Sequence, residues 1–159
     1  MIHDLEERFS DAQAVTTSAV GTNVKSLVVD RSLGNGTPMC VLFSVDVAAD
    51  QTTGDEDYTF DVEYASDAAQ TTSRQLIGRR VYESGTPTAP AQDADLLVAG
   101  YQFVIPIPPT KLTESELFLG IRYVTAGTSP SITMTAVLMP QNMVELGQFS
   151  YPKNYTITG

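Results

Sequence analysis

At 159 residues, 42% of them hydrophobic, the chain has the size of a single domain able to bury about 70% of its unfolded surface. Nineteen acidic against nine basic side chains give a formal net charge of −10, which disfavours nucleic acid as a partner. One His, one Cys and no Trp leave no inventory for a nucleophile–base set, so no catalytic, cofactor-binding or metal-binding residues are assigned. No stretch approaches eighteen consecutive apolar residues, and residues 1–8 lack a basic n-region and an apolar h-region. Neither a membrane span nor a secretory signal is expected.

In chain order, Ile2, Leu5 and Phe9 share one face of one or two helical turns, with Asp4 and Glu7 in capping-box spacing. Residues 14–29 read as extended and close on Leu27-Val28-Val29 before Asp30. Leu33-Gly34-Asn35-Gly36-Thr37-Pro38 is a turn cluster. From Met39 to Val47 the residues alternate, with Met39, Val41, Phe43, Val45 and Val47 opposite Cys40, Leu42, Ser44 and Asp46. Tyr58 to Tyr64 alternates most cleanly: Tyr58, Phe60, Val62 and Tyr64 on one side, Thr59, Asp61 and Glu63 on the other. That is the pattern of an antiparallel strand buried on one face and wet on the other.

A polar loop over 65–73 precedes a strand from Arg74 to Tyr82, and a long loop with Pro87 and Pro90 follows. Asp95 to Val98 continues through Gly100 into a strand ending at Ile105-Pro106-Ile107, where Pro106 demands a sheet edge or a bulge. Leu117–Val124 and Ile132–Leu138 complete the set, and no period holds after Pro140. With almost no helix to make crossovers, the strands must pair antiparallel in two packed sheets. The expected fold class is all-β: an antiparallel two-sheet sandwich of about eight strands with short terminal arms. The immunoglobulin Cys…Trp…Cys signature is absent, which favours a jelly roll. The expected division is an N-terminal arm over 1–12, a jelly-roll domain over 13–139 and an extended arm over 140–159.

Each chemical motif has a structural counterpart that explains it more simply. Asp61 and Glu63 leave the same strand face roughly 7 Å apart, a separation open to glycosidase chemistry, yet any solvated strand face produces it. The loop from Asp50 to Asp57 holds four carboxylates without EF-hand spacing and reads as a solvated acidic loop, with weak cation binding left open. Gly34-Asn35-Gly36 lacks the Lys-Ser/Thr of a P-loop and is a turn. Ile105 to Pro109 reads as the exit of an edge strand before a polyproline ligand. His3 has no partner ligand in sequence, and Cys40, set among Met39, Val41, Leu42 and Phe43, is expected to be a small buried hydrophobe.

Three stretches carry a family resemblance: Phe9-Ser10-Asp11-Ala12-Gln13-Ala14-Val15 followed by Thr22-Asn23-Val24; Leu97-Val98-Ala99-Gly100-Tyr101-Gln102-Phe103-Val104-Ile105-Pro106-Ile107-Pro108-Pro109; and Leu119-Gly120-Ile121-Arg122-Tyr123. In this order, across residues 2–138, the chain resembles the capsid cement (decoration) proteins of short-tailed bacteriophages, of the type described for a Bordetella phage. The resemblance implies a non-enzymatic jelly roll made in the bacterial cytoplasm and placed on the outer surface of an HK97-type virion shell. There it would bridge neighbouring copies of the major capsid protein as a homodimer, with a trimer left open, and with no cofactor, nucleic acid or membrane as partner. The alternative reading is a receptor- or carbohydrate-binding jelly roll of a phage tail or fibre, stacking sugars on some of Tyr58, Tyr82, Tyr101, Tyr123, Tyr151 and Tyr155. A hydrolase acting through Asp61 and Glu63 is the more distant one.

Overall fold

The computed structural model describes residues 7–28, 36–88, 90–109 and 117–144. Ten strands form: β1 (Arg8–Val15), β2 (Ala19–Val20), β3 (Lys25–Ser26), β4 (Met39–Val47), β5 (Asp57–Ala65), β6 (Gln75–Glu83), β7 (Gln92–Asp93), β8 (Gln102–Ile107), β9 (Phe118–Ala126) and β10 (Ile132–Pro140). One sheet has the order β1-β10-β4-β8; the other runs β2-β9-β5-β6-β7, with β3 also on β9. Every pairing is antiparallel except the two-residue β6–β7 contact.

This order is a jelly roll. The first long strand lies beside the last, and the chain alternates between sheets except where β2 passes to β3 and along β5, β6 and β7. Among the described residues seven strands are long and three, β2, β3 and β7, have two residues each, which makes ten where about eight were expected. The alternation over 39–47 and 58–64 reproduces β4 and β5 almost to the residue. Pro106 sits on β8, the terminal strand of its sheet, as its missing N–H requires.

Differences cluster at the ends and between sheets. Arg8 and Phe9, read as the end of a helix, begin β1, because Arg8 pairs with Val137 and Phe9 points into the core. Strand β1 therefore takes residues 8–12 out of the expected arm, and it reaches the core through bulges, with Ala12 at φ 46°. The extended stretch from residue 14 divides into the end of β1 and the short β2 and β3. Residues 94–96, expected as strand, make a 3-10 turn that Asp93 caps by accepting from the Asp95 N–H at 2.9 Å. Strand β10 runs on to Pro140 and a helical turn follows over 141–144. His3, the turn residues 33–35 and residues 145–159, including Tyr151 and Tyr155, lie outside the described residues.

The core is aromatic at its centre. Phe43 of β4 stacks on its cross-strand partner Phe103 at 5.0 Å between ring centroids, and Phe60 of β5 meets Phe103 at 5.0 Å and Tyr123 at 5.9 Å. These rings join the sheets, and Val41, Val45, Val62, Ile121 and Met134 fill in around them. The buried Tyr123 hydroxyl shares a 2.7 Å hydrogen bond with Ser10 Oγ, so the polar end of the ring is satisfied within the core. At the open side of the sandwich, Gly78 lets β6 approach β8: a Cβ there would stand 2.5 Å from Ile105 Cγ2.

Phe60 touches rings from both sheets, so Phe60→Ala is expected to cost about 3–5 kcal/mol of unfolding free energy. Chemical denaturation followed by near-UV circular dichroism measures this, and a loss below about 1 kcal/mol would contradict the packing described.

Candidate functional site

Strand β5 is buried on both faces. Its inward side chains, Tyr58, Phe60, Val62 and Tyr64, join the core, and the outward Asp61 and Glu63 are only 1% exposed. The solvated carboxylate face expected for this strand is therefore absent. The cause lies in cross-strand register, since Asp61 stands between Arg79 of β6 and Arg122 of β9.

Arg79 grips Asp61 with two parallel bonds, Nε to Oδ1 at 2.7 Å and Nη2 to Oδ2 at 2.8 Å. Glu63 accepts from Arg74 Nε at 3.0 Å and Nη2 at 2.7 Å on Oε2, and from Arg122 Nε at 3.0 Å on Oε1. Arg122 Nη2, 2.9 Å from Glu63 Oε1, also donates to the Gln70 carbonyl. Gln70 belongs to the β5–β6 connection, which folds back over the sheet and lays its side chain on Gly120, where a Cβ would stand 2.7 Å from Gln70 Cδ. Gly120 is opposite Glu63 in the register, so the one position without a side chain admits the loop. The loop itself is tied by Asp67, whose carboxylate accepts from the Thr71 hydroxyl and from the Thr71 and Thr72 N–H groups, holding its pKa below the usual carboxylate range.

Both carboxylates thus have their oxygens occupied by guanidinium donors and lie beneath them. A substrate has no path to either, which removes the geometric basis for a glycosidase pair. The outer surface of the cluster is cationic: three guanidiniums cover two carboxylates, with Arg79 51% and Arg74 41% exposed. Three of the chain's nine basic residues gather here, and the exposed Arg80 leaves the opposite face of β6. The exposed Leu76 lies between Arg74 and Arg79 in sequence. Gln70, Arg74 and Arg122 were not singled out as site residues from the sequence; the charge balance at Asp61 and Glu63 becomes visible only once β5 has neighbours.

The acidic loop is also internally tied. Glu56 is buried and accepts from the N–H groups of Thr53 at 3.0 Å, Gly54 at 2.9 Å and Asp55 at 3.1 Å, and from the Thr53 hydroxyl. Asp55 accepts from the Thr53 hydroxyl and reaches the β9–β10 turn through the Thr128 N–H at 3.0 Å and hydroxyl at 2.9 Å. The Thr53 hydroxyl is the largest influence holding the Glu56 and Asp55 pKa values low; Thr52 does the same for Asp50. Asp57 moves the other way, raised by burial and then by the charges of Glu83 and Asp55. The loop is a clasp between two turns rather than a free acidic loop. Among the described residues no group of three or more His, Cys, Asp or Glu side chains is placed to hold a metal ion.

Among the described residues, the tyrosines that a carbohydrate-binding reading needs lie in or against the core. Tyr58, Tyr82 and Tyr123 are core residues, and Tyr101 is partly buried against the same core. Cys40 is buried as expected, on the outward side of β4, where it packs with Met139 and Val144. Among the described residues no helix is long and apolar enough to cross a membrane.

Comparison with protein-family models gives a match to Bbp16 over residues 9–148. No curated protein matches the chain.

Two outcomes follow from this geometry. Arg79→Ala leaves Asp61 buried without its bidentate partner and is expected to destabilise the fold by about 2–3 kcal/mol, the lower part of the range for a broken buried pair because water reaches the vacated half-exposed site. Replacing both partners, Asp61→Leu with Arg79→Met, recovers most of that loss in denaturant titrations. The clasp carboxylates Asp50, Asp55 and Glu56 have folded pKa values below their ordinary 3.8 and 4.5. Their contribution is therefore present above those unfolded values and lost as pH falls through the lowered folded ones. Thermal melts between pH 7 and pH 3 should fall in midpoint at the acid end, and Glu56→Gln should lower the neutral-pH midpoint and flatten that dependence.

Proposed function

The chain belongs to Bbp16, a Bordetella phage protein family, and from that premise we propose that it is a structural virion protein that binds the outside of the capsid and stabilises it by bridging neighbouring major capsid proteins. The observation that carries this reading is the pairing of family membership with a jelly roll whose outer sheet face is a rigid, charged platform. Asp61 and Glu63 serve there as anchors for arginines that project outward. A surface with its side chains already fixed by bidentate pairs loses little conformational entropy when a partner covers it. Such a face is built for contact with another protein.

The energetics suit a cement role. A protein that binds assembled shell but not separated subunits stabilises the assembly by RT ln(1 + [L]/Kd) per site. A copy that touches two capsid subunits gains from effective concentration as well, so neither contact has to be large. Homodimerisation would double the number of tethers per bound unit. The net charge of −10 supports a location on the exterior, away from packaged phosphate.

Purified particles are expected to contain this chain in a copy number comparable to that of the major capsid protein. Particles stripped of it should rupture at lower temperature than intact ones, and adding the purified chain back should restore the difference. Particles that lack the chain, or that melt identically with and without it, would refute the proposal.

A further inference from the structure

Strand β6 is the longest stretch of sheet edge near the arginine cluster, and its backbone is half used. One side pairs with β5 from Gln75 to Glu83; on the other, only Tyr82 and Glu83 meet β7. Among the described residues, Gln75–Val81 have no second neighbouring strand. None of these seven positions is buried, so the row of N–H and C=O groups stands open. Such an edge is a template for another strand unless something covers it.

The surroundings say what kind of strand fits. Outward from the edge lie Arg79 and Arg74, inward lies Arg80, and Tyr123–Phe60–Arg80 is one cross-strand row of the inner face. Between β6 and β8 opens a shallow cleft of about 360 Å³, walled by Ile77, Arg80, Ile105, Pro106 and Pro108 among others. An added strand would send alternate side chains to opposite faces. One set would meet the outer guanidiniums, and the other would lie over the apolar cleft with Arg80 at its margin. Pro106 withdraws a donor from the facing edge of β8, which leaves β6 the better template. A second copy of this chain is the poorer occupant: antiparallel pairing of β6 with itself about a two-fold at Arg79 would set Arg79 against its own counterpart, a two-fold midway between Arg79 and Arg80 would set each against the other, and like charges directly opposed destabilise a ladder.

We infer that the Gln75–Val81 edge of β6 accepts an extended, carboxylate-bearing segment of a partner protein as an additional strand, with acidic side chains alternating with apolar ones. The inference deepens the adhesive reading above and rests on it for the identity of the partner, which would be the shell protein. The strand-acceptor chemistry can be tested without the shell.

The full-length chain, labelled for amide NMR, would be titrated with a capped hexapeptide of alternating Glu and Val. Exchange of the outward-facing amides within 75–81 should slow several-fold, with shift changes centred there and lost at high salt. A Lys–Val peptide of the same length should do neither. Arg80→Glu, which removes no ion pair of the cluster, should weaken Glu–Val binding by about tenfold while leaving the melting midpoint nearly unchanged. Unaltered exchange at 75–81, equal effects of the two peptides, or ladder formation between copies of the chain would each overturn the inference. The same exchange measurement on particle-bound chain separates the two proposals. Stoichiometric binding with 75–81 still exchanging as in the free chain refutes the edge and leaves the cement role standing. Failure to bind particles refutes the cement role, and the peptide titration then decides the edge alone.

Discussion

Everything distinctive in this molecule follows from β5 having no wet face. A strand at the centre of one sheet of a sandwich ordinarily shows its second face to water, and the Thr59, Asp61, Glu63 alternation is written for that setting. Here the second face is closed by guanidiniums from both neighbouring strands and by a loop folded over Gly120. Burying two carboxylates is costly unless each charge is paired and its lone pairs are met by donors. Bidentate Arg79 and the Arg74–Arg122 pair meet that condition. The cluster is better understood as a specifier of register than as a source of net stability: a one-residue slip of β9 would turn Arg122 to the inner face and take it from Glu63.

How far such a structure can be read from its sequence depends on how local the cause is. The alternation in 39–47 and 58–64 is a property of consecutive residues, and β4 and β5 appear where it places them. Pro106 acts through its own missing donor, so its edge position was also legible. The buried state of Asp61 and Glu63 was not, because their partners lie 11, 18 and 59 residues away and meet them only through β5–β6 and β5–β9 register. The alternation placed Tyr58 and Tyr64 on the buried side of β5, and it was the exposed tyrosines of the carbohydrate-binding alternative that failed, for a related reason. Tyr58 and Tyr123 look amphipathic in sequence, but Asp50 and Ser131 take the hydroxyl of one, and Ser10, 113 residues distant, takes the other. Hydroxyls satisfied inside the protein free the rings to become core.

The helical reading of the N-terminal stretch failed at Arg8 and Phe9 on similar grounds. Phe9 keeps its place in an apolar pattern under either assignment, and only the partner decides between periods. With β10 beside it, extended backbone recovers ladder hydrogen bonds that one isolated helical turn could not. In a jelly roll the first and last strands meet in one sheet, so terminal segments have their structure decided by the most distant part of the chain.

Charge distribution links this architecture to adhesion. A chain at −10 repels its own copies and most acidic surfaces, which limits unspecific contact. The concentration of cationic side chains on the β9-β5-β6 face reverses that sign locally, and buried Asp61 and Glu63 keep the guanidiniums from being absorbed by nearer surface acids. In the 50–57 loop the acids are occupied by their own loop, as Glu56 is with three backbone N–H groups. On the proposed reading, the protein would approach a partner with one oriented attractive face on an otherwise repulsive body. That asymmetry fixes orientation before contact, which a bridging protein needs if every copy is to seat the same way on a shell.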